Sequence, residues 1–167
     1  MLPQNGLVNM ISFISKECDI QIRLSSKSLA TLNKFRQTGL KKEAGGLLFA
    51  KELESNIVEI EYVSIPSKFD WRSRFGFRPD KRIAQNLIND NFNQGLYYVG
   101  DWHSHPQVCP IPSDKDVKTI KDIYCKSTHN LNYLIMVILS STKDFSNSYV
   151  ALTNGEDIYR CTKKLFN

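Results

Sequence analysis

The sequence predicts an α/β fold in which a mixed, mostly antiparallel sheet is flanked by about three helices. Three observations carry this expectation. Short apolar stretches, some alternating with polar residues and some continuous, recur along the chain at strand length. Residues able to cap a helix (Ser25 or Ser26, Asp80 and Ser113) each precede an apolar stripe at helical spacing. Near the end, Asn154-Gly155 separates two strand-like segments, a strong short-range signal for a hairpin.

Taken in order, Ile20 to Leu24 alternates apolar and polar residues and reads as a half-buried strand. The helix opened by Ser25 or Ser26 carries Leu29, Leu32 and Phe35 on one face, with Gly39 as its expected stop. Glu43 to Ala50 and Ile57 to Ile65 read as two strands joined by a polar turn. Pro66 to Pro79 reads as irregular, with Phe69, Trp71, Phe75 and Phe77 interleaved with Arg72, Arg74 and Arg78. Asp80 opens a second helix with Ile83, Leu87 and Ile88 in a stripe and Gly95 at its end. Leu96 to His103 is a strand. Ser113 caps a third helix with Val117, Ile120 and Ile123 inward. Leu131 to Leu139 reads as a central strand, and Ser148 to Thr153 with Asp157 to Cys161 as a terminal hairpin. No repeat, low-complexity tract or long linker interrupts the chain, so a single domain over residues 1–167 is expected.

Composition narrows the class. With 41% hydrophobic and 23% charged residues, the chain has the make-up of a globular protein rather than a disordered one. The longest aliphatic run, Leu134 to Leu139, is far short of the roughly 20 residues a membrane helix needs, so no membrane partner is expected. Met1 to Gly6 carries no basic cluster, and Lys16, Glu17 and Asp19 break the apolar stretch that follows, so no signal peptide is read. The four cysteines, Cys18, Cys109, Cys125 and Cys161, form no C-x-x-C pair. Reduced thiols and a cytoplasmic location are expected. A net charge of +5 is also common on ordinary solvated surfaces, and nucleic acid is disfavoured as a partner.

The chemistry concentrates in His103-Ser104-His105-Pro106, followed by Ser113 and Asp116. Catalytic zinc usually takes three protein ligands and keeps a fourth position for water. Histidines at i and i+2 near a strand end point the same way, because strand side chains alternate. Asp116, in the first turn of the helix that Ser113 opens, is placed to complete a His103, His105, Asp116 set for Zn2+. Such a metal lowers the pKa of water from about 15.7 to about 7. A carboxylate must still take the proton and pass it to the leaving amine, and Glu43 is the candidate. It precedes Gly45-Gly46, where a second backbone or a substrate can approach closely. Ser113 is the candidate donor to the developing oxyanion.

Each residue also has a plainer reading. Ser113 and Asp116 fit a Ser-x-x-Asp helix cap, and an Asp116 turned back to the helix is not expected to face zinc as well. Trp102 is more often packing than recognition. His129, in the polar turn Ser127 to Asn130, reads as solvent-exposed. Cys109 would close the site if it were a fourth ligand, and the open three-ligand site is preferred.

These residues match the JAMM motif of the Mov34/MPN metalloprotease family. Its signature, E … H-S/T-H-P-x(6)-S-x-x-D, stands here as Glu43, His103-Ser104-His105-Pro106, Ser113 and Asp116, with no departure in spacing. The resemblance runs from about Glu43 to Leu139. The Glu-Ala-Gly-Gly-Leu-Leu stretch and Gly100-Asp101-Trp102-His103 resemble the bacterial branch, which includes isopeptidases of antiphage operons of the CBASS and ubiquitin-like conjugation kinds. It implies a single JAMM/MPN-type domain acting as a zinc isopeptidase that cuts after the C-terminal tail of a ubiquitin-like protein. The implied partners are that protein or its conjugate, with E1/E2-like enzymes of the same operon. The tail would lie beside a strand by β-augmentation. The 66–79 segment would shape the groove, with Arg74, Phe75 and Trp102 as candidate substrate contacts.

Three other functions compete, one of them a non-catalytic module holding a ubiquitin-like partner, which the presence of Glu43 argues against. A processing protease for a ubiquitin-like or sulfur-carrier precursor would use the same site. A RadC-like nucleic-acid-associated protein shares the H-x-H-P … P-S-x-x-D spacing. Such proteins usually carry Ser-Gly-Asp where this chain has Gln107-Val108-Cys109, and usually a helix-hairpin-helix region that the segment before Glu43 does not resemble.

Overall fold

A computed structural model describes residues 10–164. The strands are β1 (Ile11–Ser15), β2 (Ile20–Leu24), β3 (Gly45–Ala50), β4 (Ile57–Val63), β5 (Trp71–Ser73), β6 (Gly76–Arg78), β7 (Tyr97–Ser104), β8 (Leu134–Leu139), β9 (Tyr149–Thr153), β10 (Ile158–Arg160) and β11 (Thr162–Lys163). The helices are α1 (Ser26–Asn33), α2 (Lys81–Asn93) and α3 (Asp114–Lys126). Nine strands form one sheet in the order β10-β9-β8-β7-β3-β4-β2-β1-β11. Its pairings are antiparallel except β2 with β4 and β7 with β8. The predicted fold class is therefore the observed one.

The helices begin where their capping residues stand. Ser25 Oγ accepts the N–H of Ser28, Asp80 Oδ1 accepts that of Ile83, and Ser113 Oγ accepts that of Asp116. Gly95, at positive φ, follows the C-terminus of α2 as expected. Gly39 does not end α1, which stops at Asn33. Phe35 is thus beyond the helix, and it turns inward to pack on the Trp102 ring.

β8 is buried on both faces, which explains its continuous apolar run, Leu-Ile-Met-Val-Ile-Leu. Leu134, Met136 and Ile138 face a cluster with Ile120 of α3, while Ile135, Val137 and Leu139 face the larger cluster on the α1 side. The middle of the sheet belongs to β3, not to β8. The 66–79 segment, expected to be irregular, contains the β5–β6 hairpin. β1 and β11 were also not anticipated. Among the described residues no helix is long and apolar enough to cross a membrane.

Along β7, side chains alternate between the two faces of the sheet. Trp102 packs into the α1-side core. The neighbouring His103 therefore projects to the other face, where α3 begins. This alternation sets up the site.

Candidate metal centre

His103 and His105 stand at the end of β7 with their Nε2 atoms 3.2 Å apart. Asp116, in the first turn of α3, places Oδ1 3.4 Å from His103 Nε2 and Oδ2 3.4 Å from His105 Nε2. With one ligand atom offered by each residue, the three atoms lie within 4.8 Å of one another, close enough to share one metal ion. Among the described residues this trio forms the group of metal-capable side chains, and Cys109, which is exposed, is not part of it. Two imidazoles and one carboxylate make a donor set that suits zinc and leaves a coordination position open.

Asp116 does two things that the sequence reading held to be exclusive. Its Oδ2 accepts the backbone N–H of Ser113 at 2.8 Å, while its own N–H donates to Ser113 Oγ at 3.1 Å. This reciprocal capping box uses one oxygen of the carboxylate. The other oxygen still faces His103. The capping box thereby holds the carboxylate in place for the histidines.

The electrostatics follow from this packing. Burial acts to raise the Asp116 pKa, but hydrogen bonds to His103 and His105 outweigh it and hold the carboxyl well below its usual range. Burial alone would lower His105, yet its contact with Asp116 raises it above the ordinary histidine value. Glu43 is buried, and that burial lifts its carboxyl above the usual value against the opposing influence of His103 and His105.

Glu43 precedes β3 by two residues, and its Oε1 lies 4.0 Å from His105 Nε2. Glu43, Ser113 and the three metal-capable residues line one cavity of about 400 Å3, and Arg74 and Phe75 stand at its hairpin wall. The geometry thus brings together every residue expected to do chemistry, across 73 positions of sequence from Glu43 to Asp116.

The substrate candidates separate. Phe75 is 84% exposed, and Arg74 lies over its ring at 5.6 Å. Trp102 borders the cavity but is only 1% exposed, and its Nε1–H donates to the Ser64 carbonyl at 3.0 Å. Its indole is a core group with almost no face to offer a substrate. His129 is also not the exposed residue expected: it is half-buried, with Nε2 2.8 Å from the Tyr124 carbonyl and Nδ1 accepting the Leu131 N–H.

A model described as prokaryotic homologs of the JAB domain matches residues 26–152, which contain the whole cavity constellation. The chain belongs to the Prok-JAB family. Relatives of this Prok-JAB chain include the CD-NTase/cGAS isopeptidase of Escherichia coli (strain TW11681), 33% identical over 67% of this chain and 73% of that one. A protein of the same name from Enterobacter hormaechei subsp. hoffmannii is 31% identical over 64% of this chain, which spans 59% of that relative's length. The solution structure of a Desulfitobacterium hafniense protein superposes with a TM-score of 0.60 at 22% identity, covering 82% of this chain and 87% of that one, and speaks for the fold alone. Family and relatives together support a hydrolase of the isopeptidase kind.

Proposed function

We propose that this Prok-JAB chain is a zinc-dependent isopeptidase that cleaves the amide bond after the C-terminal tail of a ubiquitin-like protein, in a bacterial antiphage or related conjugation system. The observation that carries the reading is the mutual spacing of His103, His105 and Asp116 at 3.2–3.4 Å, with Glu43 at 4.0 Å from His105. The names of the relatives supply the isopeptidase class.

His103, His105 and Asp116 would hold the zinc. When bound, the ion supplies Lewis acidity that makes water a better nucleophile and a carbonyl a better electrophile. Glu43 takes a proton from the attacking water and delivers it to the leaving amine. Ser113 Oγ already accepts the Asp116 N–H, so its own hydrogen is available to donate to the charge developing on the scissile carbonyl oxygen. The exposed Phe75 and the Arg74 guanidinium flank the cavity where the extended tail would enter.

The test is purification with zinc, metal quantification, and an assay on a ubiquitin-like protein whose tail carries an isopeptide-linked fluorophore. About one zinc per chain is expected. Cleavage should stop with a chelator. Glu43→Ala should keep the metal and lose turnover, because Glu43 is a base and not a ligand. His103→Ala and Asp116→Ala should lose both. A wild-type chain without zinc would sink the reading.

A further inference from the structure

The main sheet holds the residue after the base: the Ala44 N–H donates to Ser104 Oγ at 2.9 Å and its carbonyl accepts the Ser104 N–H at 2.8 Å. Glu43 lies outside β3, yet its peptide is gripped on both sides by the β5–β6 hairpin. Its N–H donates to the Ser73 carbonyl at 2.7 Å, and its carbonyl accepts Arg72 Nε–H, also at 2.7 Å. Arg72 reaches Glu43 from 29 residues away. Both bonds come from β5, so they join the base to that strand as a short ladder would.

The hairpin is itself anchored. The Phe77 ring of β6 lies against Gly45, leaving no room there for a Cβ. Buried Gln37 donates from Nε2 to the Arg74 carbonyl at 2.8 Å. Asp70 accepts the Ser67 N–H through Oδ2 and the Asp80 N–H through Oδ1, at 2.7 and 2.8 Å, closing the base of the loop. A frame fixed at its stem, its turn and its inner face can fix what it holds.

We propose that β5, through the Arg72 side chain, is the positioning element of the Glu43 base; this rests on Glu43 having that role. The position of the Glu43 Cα decides where its carboxylate falls, and that carboxylate must reach within proton-transfer distance of a water beside His105. A displacement of about 1 Å at such a group can cost about 100-fold in rate. The contact is a hydrogen bond to a backbone carbonyl and not an ion pair. A single Nε–H donor meets a neutral carbonyl, so the requirement is a donor at that bond distance from the backbone. Glutamine places its Nε2 the same number of bonds from Cα, and methionine places none.

The experiment compares Arg72→Met and Arg72→Gln in the zinc-loaded chain. Four readouts are kcat, KM, zinc content and backbone amide exchange at Glu43. For Arg72→Met we expect kcat to fall by about 10- to 100-fold, with KM and zinc within about twofold of wild type. Exchange at Glu43 should quicken, and Arg72→Gln should restore both rate and protection. In a Glu43→Gln background, Arg72→Met should cost nothing further, since it acts through the base. A rise in KM at unchanged kcat would overturn the proposal, since Arg72 would then be meeting substrate. Equal losses in the Met and Gln variants would overturn it too, because charge and not the donor would matter. Should Arg72→Met fail to fold, Arg72→Leu also removes the donor and gives the same comparison. Wild-type turnover by Glu43→Gln would remove the base assignment itself. An inert Glu43→Gln beside a fully active Arg72→Met would remove only the positioning role.

Discussion

Asp116 and Ser113 are locked to each other by two reciprocal hydrogen bonds, of 2.8 and 3.1 Å, in the same turn that presents Asp116 to the histidines. The capping of α3 and the placing of Asp116 beside the histidines are therefore one local structure. Loss of a cap hydroxyl to alanine costs about 0.5–2 kcal/mol, whereas glycine costs only a few tenths. Ser113→Gly should leave thermal stability and zinc content nearly unchanged. Its kcat should fall by about 100-fold or more if the hydroxyl serves the oxyanion. Denaturant unfolding beside steady-state kinetics separates the two roles, and wild-type kcat in the glycine variant would reduce Ser113 to a cap.

At Gly100 the backbone of β8 lies close against β7. It sits at φ +155°, and a Cβ there would run into the Ile135 backbone. Its pairing with Ile135 begins the parallel ladder that ends at His103 and Ser104. Gly100→Ala should destabilise the fold by at least the about 1–3 kcal/mol of a strained backbone position. Urea titration measures this, and a variant as stable as wild type would contradict the close approach.

Phe75 and Trp102 make opposite predictions. Phe75 is 84% exposed, so Phe75→Ala should not alter the midpoint of unfolding. It should raise KM for a ubiquitin-like substrate while kcat holds. Trp102 is buried at the centre of the larger core, and Trp102→Ala should cost about 3–5 kcal/mol, the range for removing a large buried aromatic. Unchanged KM in the Phe75 variant would leave the hairpin tip without a substrate role.

The cysteines should divide by burial. Cys109 and Cys125 are exposed and should react with a thiol reagent in the native state. Burial pushes the Cys161 thiol up to about 12, so it stays protonated at neutral pH and should be modified only on unfolding. Mass spectrometry of labelled native and denatured chains reads this directly. Fast native labelling of Cys161 would place it nearer the surface.

Local features were legible because local rules govern them. The caps at Ser25, Asp80 and Ser113 need only the next turn of helix, and His103 and His105 share a face because strand side chains alternate. The β5–β6 hairpin was missed because three-residue strands are too short for a period to register against interleaved aromatics and arginines. β1 was missed for a related reason: five residues, broken by two serines, gain strand character from pairing with β2 and β11. α1 ends before Gly39 because the chain turns earlier to seat Phe35 on Trp102, a contact that no local signal announces.

By itself, the sequence determined the donor types, the cap and the i, i+2 histidine spacing, all of which act within a turn or a strand end. Only the tertiary structure decided that Glu43 comes to 4.0 Å from His105 across 62 positions, that the Asp116 carboxylate serves helix and histidines together, and that Trp102 is core. The reason is that β3 pairs with β7 in a register that sets Gly45 opposite His103. Such a register is chosen by burial on both faces of a completed sheet, which no single segment contains.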